Sequence, residues 1–86
     1  GKTDWQEQKK QQAALRKKQN ELKKTEEEIA RLEEEKELLE TEASDPAVAT
    51  NSARLFELHT QITEIEETLE GLYQTWEELA SDEDLS

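Results

Sequence analysis

The apolar residues Leu55, Leu58, Ile62, Ile65, Leu69, Leu72, Trp76 and Leu79 follow one another at spacings of 3, 4, 3, 4, 3, 4 and 3 without a miss. That alternation puts all of them on one stripe of a helix, with Leu55, Ile62, Leu69 and Trp76 at heptad position a and Leu58, Ile65, Leu72 and Leu79 at d. An earlier stretch carries the same seam with polar interruptions: Leu15, Leu22, Ile29 and Lys36 fall at a, and Lys18, Thr25, Leu32 and Leu39 at d. A polar residue at a core position of a coiled coil fixes register and orientation at some cost in stability, which is the role expected of Thr25 and Lys36.

Between the two seams the apolar period is lost across Ser44-Asp45-Pro46-Ala47-Val48-Ala49-Thr50-Asn51-Ser52. Pro46 disfavours helical geometry at Asp45 and cannot continue a preceding helix, so the chain is expected to turn back on itself here. Ser44 or Asp45 can cap a short turn starting at Pro46, and Asn51 or Ser52 can cap the second helix. The predicted fold is all-α, an antiparallel two-helix coiled-coil hairpin over residues 12–80. Its first helix covers about 4–42, its turn 43–51 and its second helix about 52–80. Thr3-Asp4-Trp5-Gln6 reads as a capping box for the first helix. Residues 1–11 overhang the shorter second helix and are expected to fray as a linker, and residues 81–86 to form a disordered acidic tail.

A register in which paired position numbers sum to 94 matches a against d along the whole hairpin, from Leu39/Leu55 and Lys36/Leu58 through Thr25/Leu69 to Lys18/Trp76 and Leu15/Leu79. In that register Glu42 meets Arg54, Glu33 meets His59 and Tyr73 lies beside Gln19. Glu26 against Glu66 is then the one repulsive pair, and Trp76 stacks against the Lys18 stem as a cation–π layer.

Composition narrows the picture to a thin, seam-built molecule. Of the 86 residues only 31% are hydrophobic and 40% are charged, too little apolar surface for a globular core. There is no cysteine, so thiolate metal sites and disulfides are excluded, and no apolar run approaches a membrane span. A lone histidine, His59, is no basis for a metal site, and the many carboxylates lack the apolar shelter that acid–base catalysis needs. Catalytic, cofactor and metal residues are therefore all expected to be absent. Gly71 falls at an exposed c position, where it weakens its helix by about 1 kcal/mol relative to alanine.

The net charge of -12 is unevenly distributed. Residues 1–24 hold eight basic and three acidic groups, and residues 25–86 hold three basic and twenty acidic. Lys9, Lys10, Arg16, Lys17, Lys23 and Lys24 recur as pairs every seven residues at positions b and c, with Arg31 continuing the c row. Cations spaced in this way along an outward helix face can follow a phosphate backbone with salt-dependent, sequence-independent affinity. The competing reading is a solvated face neutralised within the helix by pairs such as Lys17–Glu21 and Lys24–Glu28. Phe56 and Val48 place apolar groups near the turn, where they pack locally or meet a partner.

Three features together resemble the C-terminal coiled-coil domain of bacterial ABC-F family ATPases. They are the closing segment Leu72-Tyr73-Gln74-Thr75-Trp76-Glu77-Glu78-Leu79, the Asp45-Pro46 reversal, and the run Leu55-x-x-Leu58-x-x-x-Ile62-x-x-Ile65-Glu66. The resemblance covers roughly residues 8–80. It implies a cytoplasmic parent protein with two ATP-binding cassettes and no membrane spans, acting on ribosomes or, in some members, on DNA. The chain has no G-x-x-x-x-G-K-[ST] loop, so ATP and Mg would bind the upstream cassettes and none of that chemistry is expected here. The expected partners are those cassettes and ribosomal RNA or DNA, and the expected state is a monomeric hairpin. A purely structural or protein-binding hairpin, or one that dimerises into a four-helix bundle, are the alternatives.

Overall fold

The computed structural model describes residues 2–85, with side-chain environments for residues 5–81. Three helices account for the described chain: α1 spans Lys2–Ala43, α2 Pro46–Ala49 and α3 Ser52–Leu85. Both long helices reach further than the sequence pattern suggested, α1 running unbroken through the expected linker and α3 beyond Ala80. Residues 5–17 are exposed throughout, so intrahelical bonds alone carry that stretch of α1. The side chains of Thr3 and Asp4, on which the first capping box rests, lie outside the described residues, as do those of residues 82–86.

Local chemistry accounts for the reversal. Asp45 adopts extended geometry at φ -67°, ψ 128°, and its carboxylate accepts from the Ala47 N–H at 3.0 Å, capping α2 with Pro46 in the first turn. Ser44 N–H closes the end of α1 on the Glu40 carbonyl at 3.1 Å. Asn51 then caps α3, its Oδ1 accepting from the Arg54 N–H at 3.2 Å while its carbonyl accepts from Leu55 N–H at 3.0 Å. Of the two candidates at each end, Asp45 and Asn51 are the caps.

Helix α3 packs against the part of α1 that follows residue 17, and the molecule measures 73 × 16 × 14 Å. Burial follows the heptad stripe. Leu58, Ile62 and Leu69 are buried on α3 and Thr25 on α1, with Leu58 wholly removed from solvent. Lys18, Leu22, Ile29, Leu32 and Leu39 on α1, and Leu55, Ile65, Leu72 and Leu79 on α3, are partly buried. The ends of the seam are more open, with Leu15 36% and Trp76 37% exposed. The buried Thr25 carries no orphaned polar atom, because its hydroxyl donates to the Glu21 carbonyl one turn back at 2.8 Å.

Side-chain links cross between the two long helices. Arg54 reaches Glu42, Glu66 reaches Lys36, Tyr73 reaches Glu33 and Trp76 reaches Glu26, so positions climb along α3 as they fall along α1. The register summing to 94 does not survive these contacts. It would place Tyr73 twelve residues, about 18 Å, from the level of Glu33, further than a tyrosine, a glutamate and one hydrogen bond together span.

Sliding the helices by one heptad, to a sum of 101, restores the a-against-d match and puts Glu66 and Trp76 within one residue of the level of Lys36 and Glu26. Leu32 then lies level with Leu69, Leu39 with Ile62, Ala43 with Leu58 and Thr25 with Trp76. Leu69 accordingly shares a surface hollow with Glu33 and Lys36. Trp76 therefore does not stack on Lys18; its indole N–H donates to Glu26 at 2.9 Å. Tyr73 sits at Glu33 rather than beside Gln19, Glu33 is engaged there rather than with His59, and the Glu26/Glu66 repulsion disappears. The Glu42–Arg54 pair is present in the structure, because an arginine is long enough to bridge the offset.

Two measurements test this packing. A Leu32→Cys/Leu69→Cys variant should oxidise to an intramolecular disulfide, whereas Leu32→Cys/Ile62→Cys, level only in the other register, should stay reduced because a full heptad separates its Cα atoms. Leu58→Ala should destabilise the fold by about 3 kcal/mol in a denaturant titration. Leu38→Ala, at a side chain 66% exposed, should change it by less than about 0.5 kcal/mol.

Candidate functional site

The regular spacing of cations on α1 becomes one continuous face in the helix. Lys9, Lys10, Arg16, Lys17, Lys23, Lys24 and Arg31 are all exposed, on the side of α1 turned away from the buried seam. Among the described residues, Lys10, Arg16, Lys17, Lys23, Lys24 and Arg31 form no ion pair, so the intrahelical pairs Lys17–Glu21 and Lys24–Glu28 are not made. Lys36 and Arg54, by contrast, are paired near the turn and along the seam edge. Lys36 lies 3.3 Å from Glu66 and 3.8 Å from Glu40, and Arg54 lies 2.9 Å from Glu42 and 3.1 Å from Glu57.

Arg54 is held by two carboxylates. One terminal nitrogen donates to both Glu42 oxygens, at 3.0 and 2.9 Å, and the other donates to Glu57. The hydrogen bonds to Glu42, then to Glu57, hold its guanidinium pKa above the already high ordinary value. The guanidinium thus uses its two terminal nitrogens on two carboxylates, tying α1 to the start of α3 beside the turn.

At the other end of the paired region the ties are aromatic. The Tyr73 hydroxyl donates to Glu33 and the Trp76 indole to Glu26, two glutamates one heptad apart on the same edge of α1. The sequence pattern offered no signal for either partner, since both depend on the register. The bond to Glu33, chiefly, raises the Tyr73 pKa above its ordinary 10. Phe56 is 74% exposed near the turn. Among the described residues no group of three or more histidines, aspartates and glutamates is arranged to hold a metal ion, and no helix is long and apolar enough to cross a membrane.

A second feature of α1 escaped the sequence reading. Trp5 is 63% exposed, and Lys9 Nζ sits 5.1 Å from its ring centroid. Trp5, Gln6, Lys9, Lys10 and Ala13 line one shallow hollow, so an aromatic side chain stands at the head of the cationic face.

Taken together, two long packed helices, a capped reversal and outward-facing charge define an all-helical domain. The ABC transporter C-terminal domain family matches residues 13–81, most of the chain, and the protein belongs to that family. Membership agrees with the resemblance to the C-terminal domain of ABC-F-type proteins carried by Asp45-Pro46 and the Tyr73/Trp76 segment, and makes the chain a C-terminal domain rather than a catalytic module. No curated protein and no solved structure matches it.

The sign of the Tyr73 shift gives a test. The neutral hydroxyl donates to Glu33 and a phenolate cannot, so the folded-state pKa lies above the unfolded one. The stability this bond contributes is complete below pH 10 and is lost as pH rises through the folded value. Tyr73 is the sole tyrosine, so absorbance at 295 nm should titrate with a midpoint above 10, and Glu33→Ala should bring it back toward 10.

Proposed function

We propose that the chain is the non-catalytic C-terminal arm of an ABC-F-type ATPase. In this reading it folds as an antiparallel two-helix coiled-coil hairpin and touches the phosphate backbone of ribosomal RNA or DNA through the cationic face of α1. Family membership supports the arm. The observation that carries the contact is a row of exposed cations at heptad spacing, most of them without an ion pair among the described residues, on a chain otherwise dominated by carboxylates. A face whose charges are not spent on internal pairs keeps its full attraction for a polyanion, and each neutralised phosphate releases a condensed counterion.

The ATP- and Mg-dependent chemistry belongs, in this reading, to upstream cassettes of the same chain, and the arm works as a cytoplasmic monomer that positions them on their target. The net charge of -12 favours a second reading, a hairpin that spaces or docks protein partners without touching nucleic acid. Carboxylates repel phosphate, and the exposed Glu57, Glu64, Glu67, Glu70, Glu77 and Glu78 surround α3 with them.

Salt dependence separates the two. Fluorescence anisotropy with a labelled ribosomal RNA hairpin or DNA duplex should show binding at about 50 mM salt that weakens about tenfold or more by 200 mM. Lys17→Glu combined with Lys24→Glu, both exposed and far from the seam, should abolish binding without moving the melting temperature. Absence of binding at low salt, or binding indifferent to the double reversal, would leave the structural reading.

A further inference from the structure

The cationic face begins with a tryptophan. Trp5 precedes Lys9 by one helical turn and Arg16 by three, so it lies on the same side of α1, in the stretch that α3 does not cover. Its ring is 63% exposed, Lys9 Nζ lies over it at 5.1 Å from the centroid, and Lys10 lines the same hollow. More than half of the indole surface is open to a partner.

Its setting selects the chemistry of what could cover it. Two lysines beside the ring favour an anion, and a flat π-face favours a flat aromatic partner. A nucleotide offers both in one unit, the phosphate to Lys9 and Lys10 and the base to the ring. In an intact duplex the base faces are already stacked on one another, so only an unpaired nucleotide can present one.

We propose that Trp5, with Lys9 and Lys10, forms a stacking site for an unpaired base, so that the arm engages single-stranded nucleic acid or a single-stranded end in preference to blunt duplex. The proposal rests on the phosphate-contact reading of the stripe and adds a substrate class to it. The stripe supplies affinity that any phosphate backbone satisfies, and Trp5 supplies the discrimination that backbone contacts lack. Because Trp5 stands outside the paired seam, removing it leaves the fold intact, and the two contributions separate cleanly.

The test uses the whole chain with two probes of equal length, a single-stranded oligothymidylate and a blunt DNA duplex, at about 50 mM salt. Tryptophan emission should be quenched by the single strand and little altered by the duplex, and the quench should vanish in Trp5→Ala, which isolates Trp5 from Trp76. By anisotropy, Trp5→Ala should weaken single-strand binding about tenfold and duplex binding less than about twofold, with Trp5→Phe recovering most of the loss.

If both probes bind, Lys17→Glu with Lys24→Glu abolishes that binding and Trp5→Ala alters neither affinity nor emission, the stacking site is refuted while the stripe reading stands. Equal quenching by the duplex refutes the preference for unpaired bases. Failure of both probes to bind overturns both readings and leaves Trp5 as a contact for another protein surface.

Discussion

Everything in this molecule depends on one apolar seam that is barely two residues wide. With three hydrophobic side chains buried among the described residues and the rest of the stripe only partly covered, the seam holds α1 and α3 together but says little about how far one is slid along the other. A heptad seam matches itself again after seven residues, so registers one heptad apart bury nearly the same leucines and isoleucines. The choice falls to polar groups on the seam's edges. Lys36 with Glu66 and Trp76 with Glu26 lie within one residue of level at a sum of 101 and Tyr73 with Glu33 within five, whereas at 94 the offsets grow to eight, eight and twelve residues.

This division of labour explains which parts of the structure could be read from the sequence. The seam positions, the reversal at Asp45-Pro46 and the alternative caps followed from period and turn chemistry, because those are local properties of the chain. The register did not. A sum of 94 centres the hairpin near Ala47, as if the turn were its midpoint, whereas α2 continues for a further helical turn and moves the centre to between Thr50 and Asn51. Ala43 and Leu58 become level, and Leu55 becomes level with Pro46 at the start of α2 rather than with Leu39. A one-turn helix inside a loop carries no periodicity of its own, so the sequence pattern held no trace of the displacement.

The aromatic residues at the far end show the same limit from another side. Helical side chains lean toward the N-terminus of their own helix, and α3 runs against α1, so Tyr73 and Trp76 reach toward the turn instead of toward the open end. Their partners are glutamates in the middle of α1, not Lys18 or Gln19 opposite the register first expected. Trp76 at 37% exposure then acts less as a core residue than as a hydrogen-bonded cover on the seam's edge. The cationic face was legible in its spacing, but the freedom of its charges was not.

The consequence is that folding and charge presentation draw on different residues. The carboxylates that hold the register pair with Arg54, Lys36, Tyr73 and Trp76, all on or beside the seam, and none of the seven cations on the outer face takes part. Substitution on that face can therefore tune affinity for a polyanion without loosening the rod, and substitution at the seam edge can shift register without changing the charge a partner meets. A domain built in this way can keep its length and direction while its outward chemistry is altered.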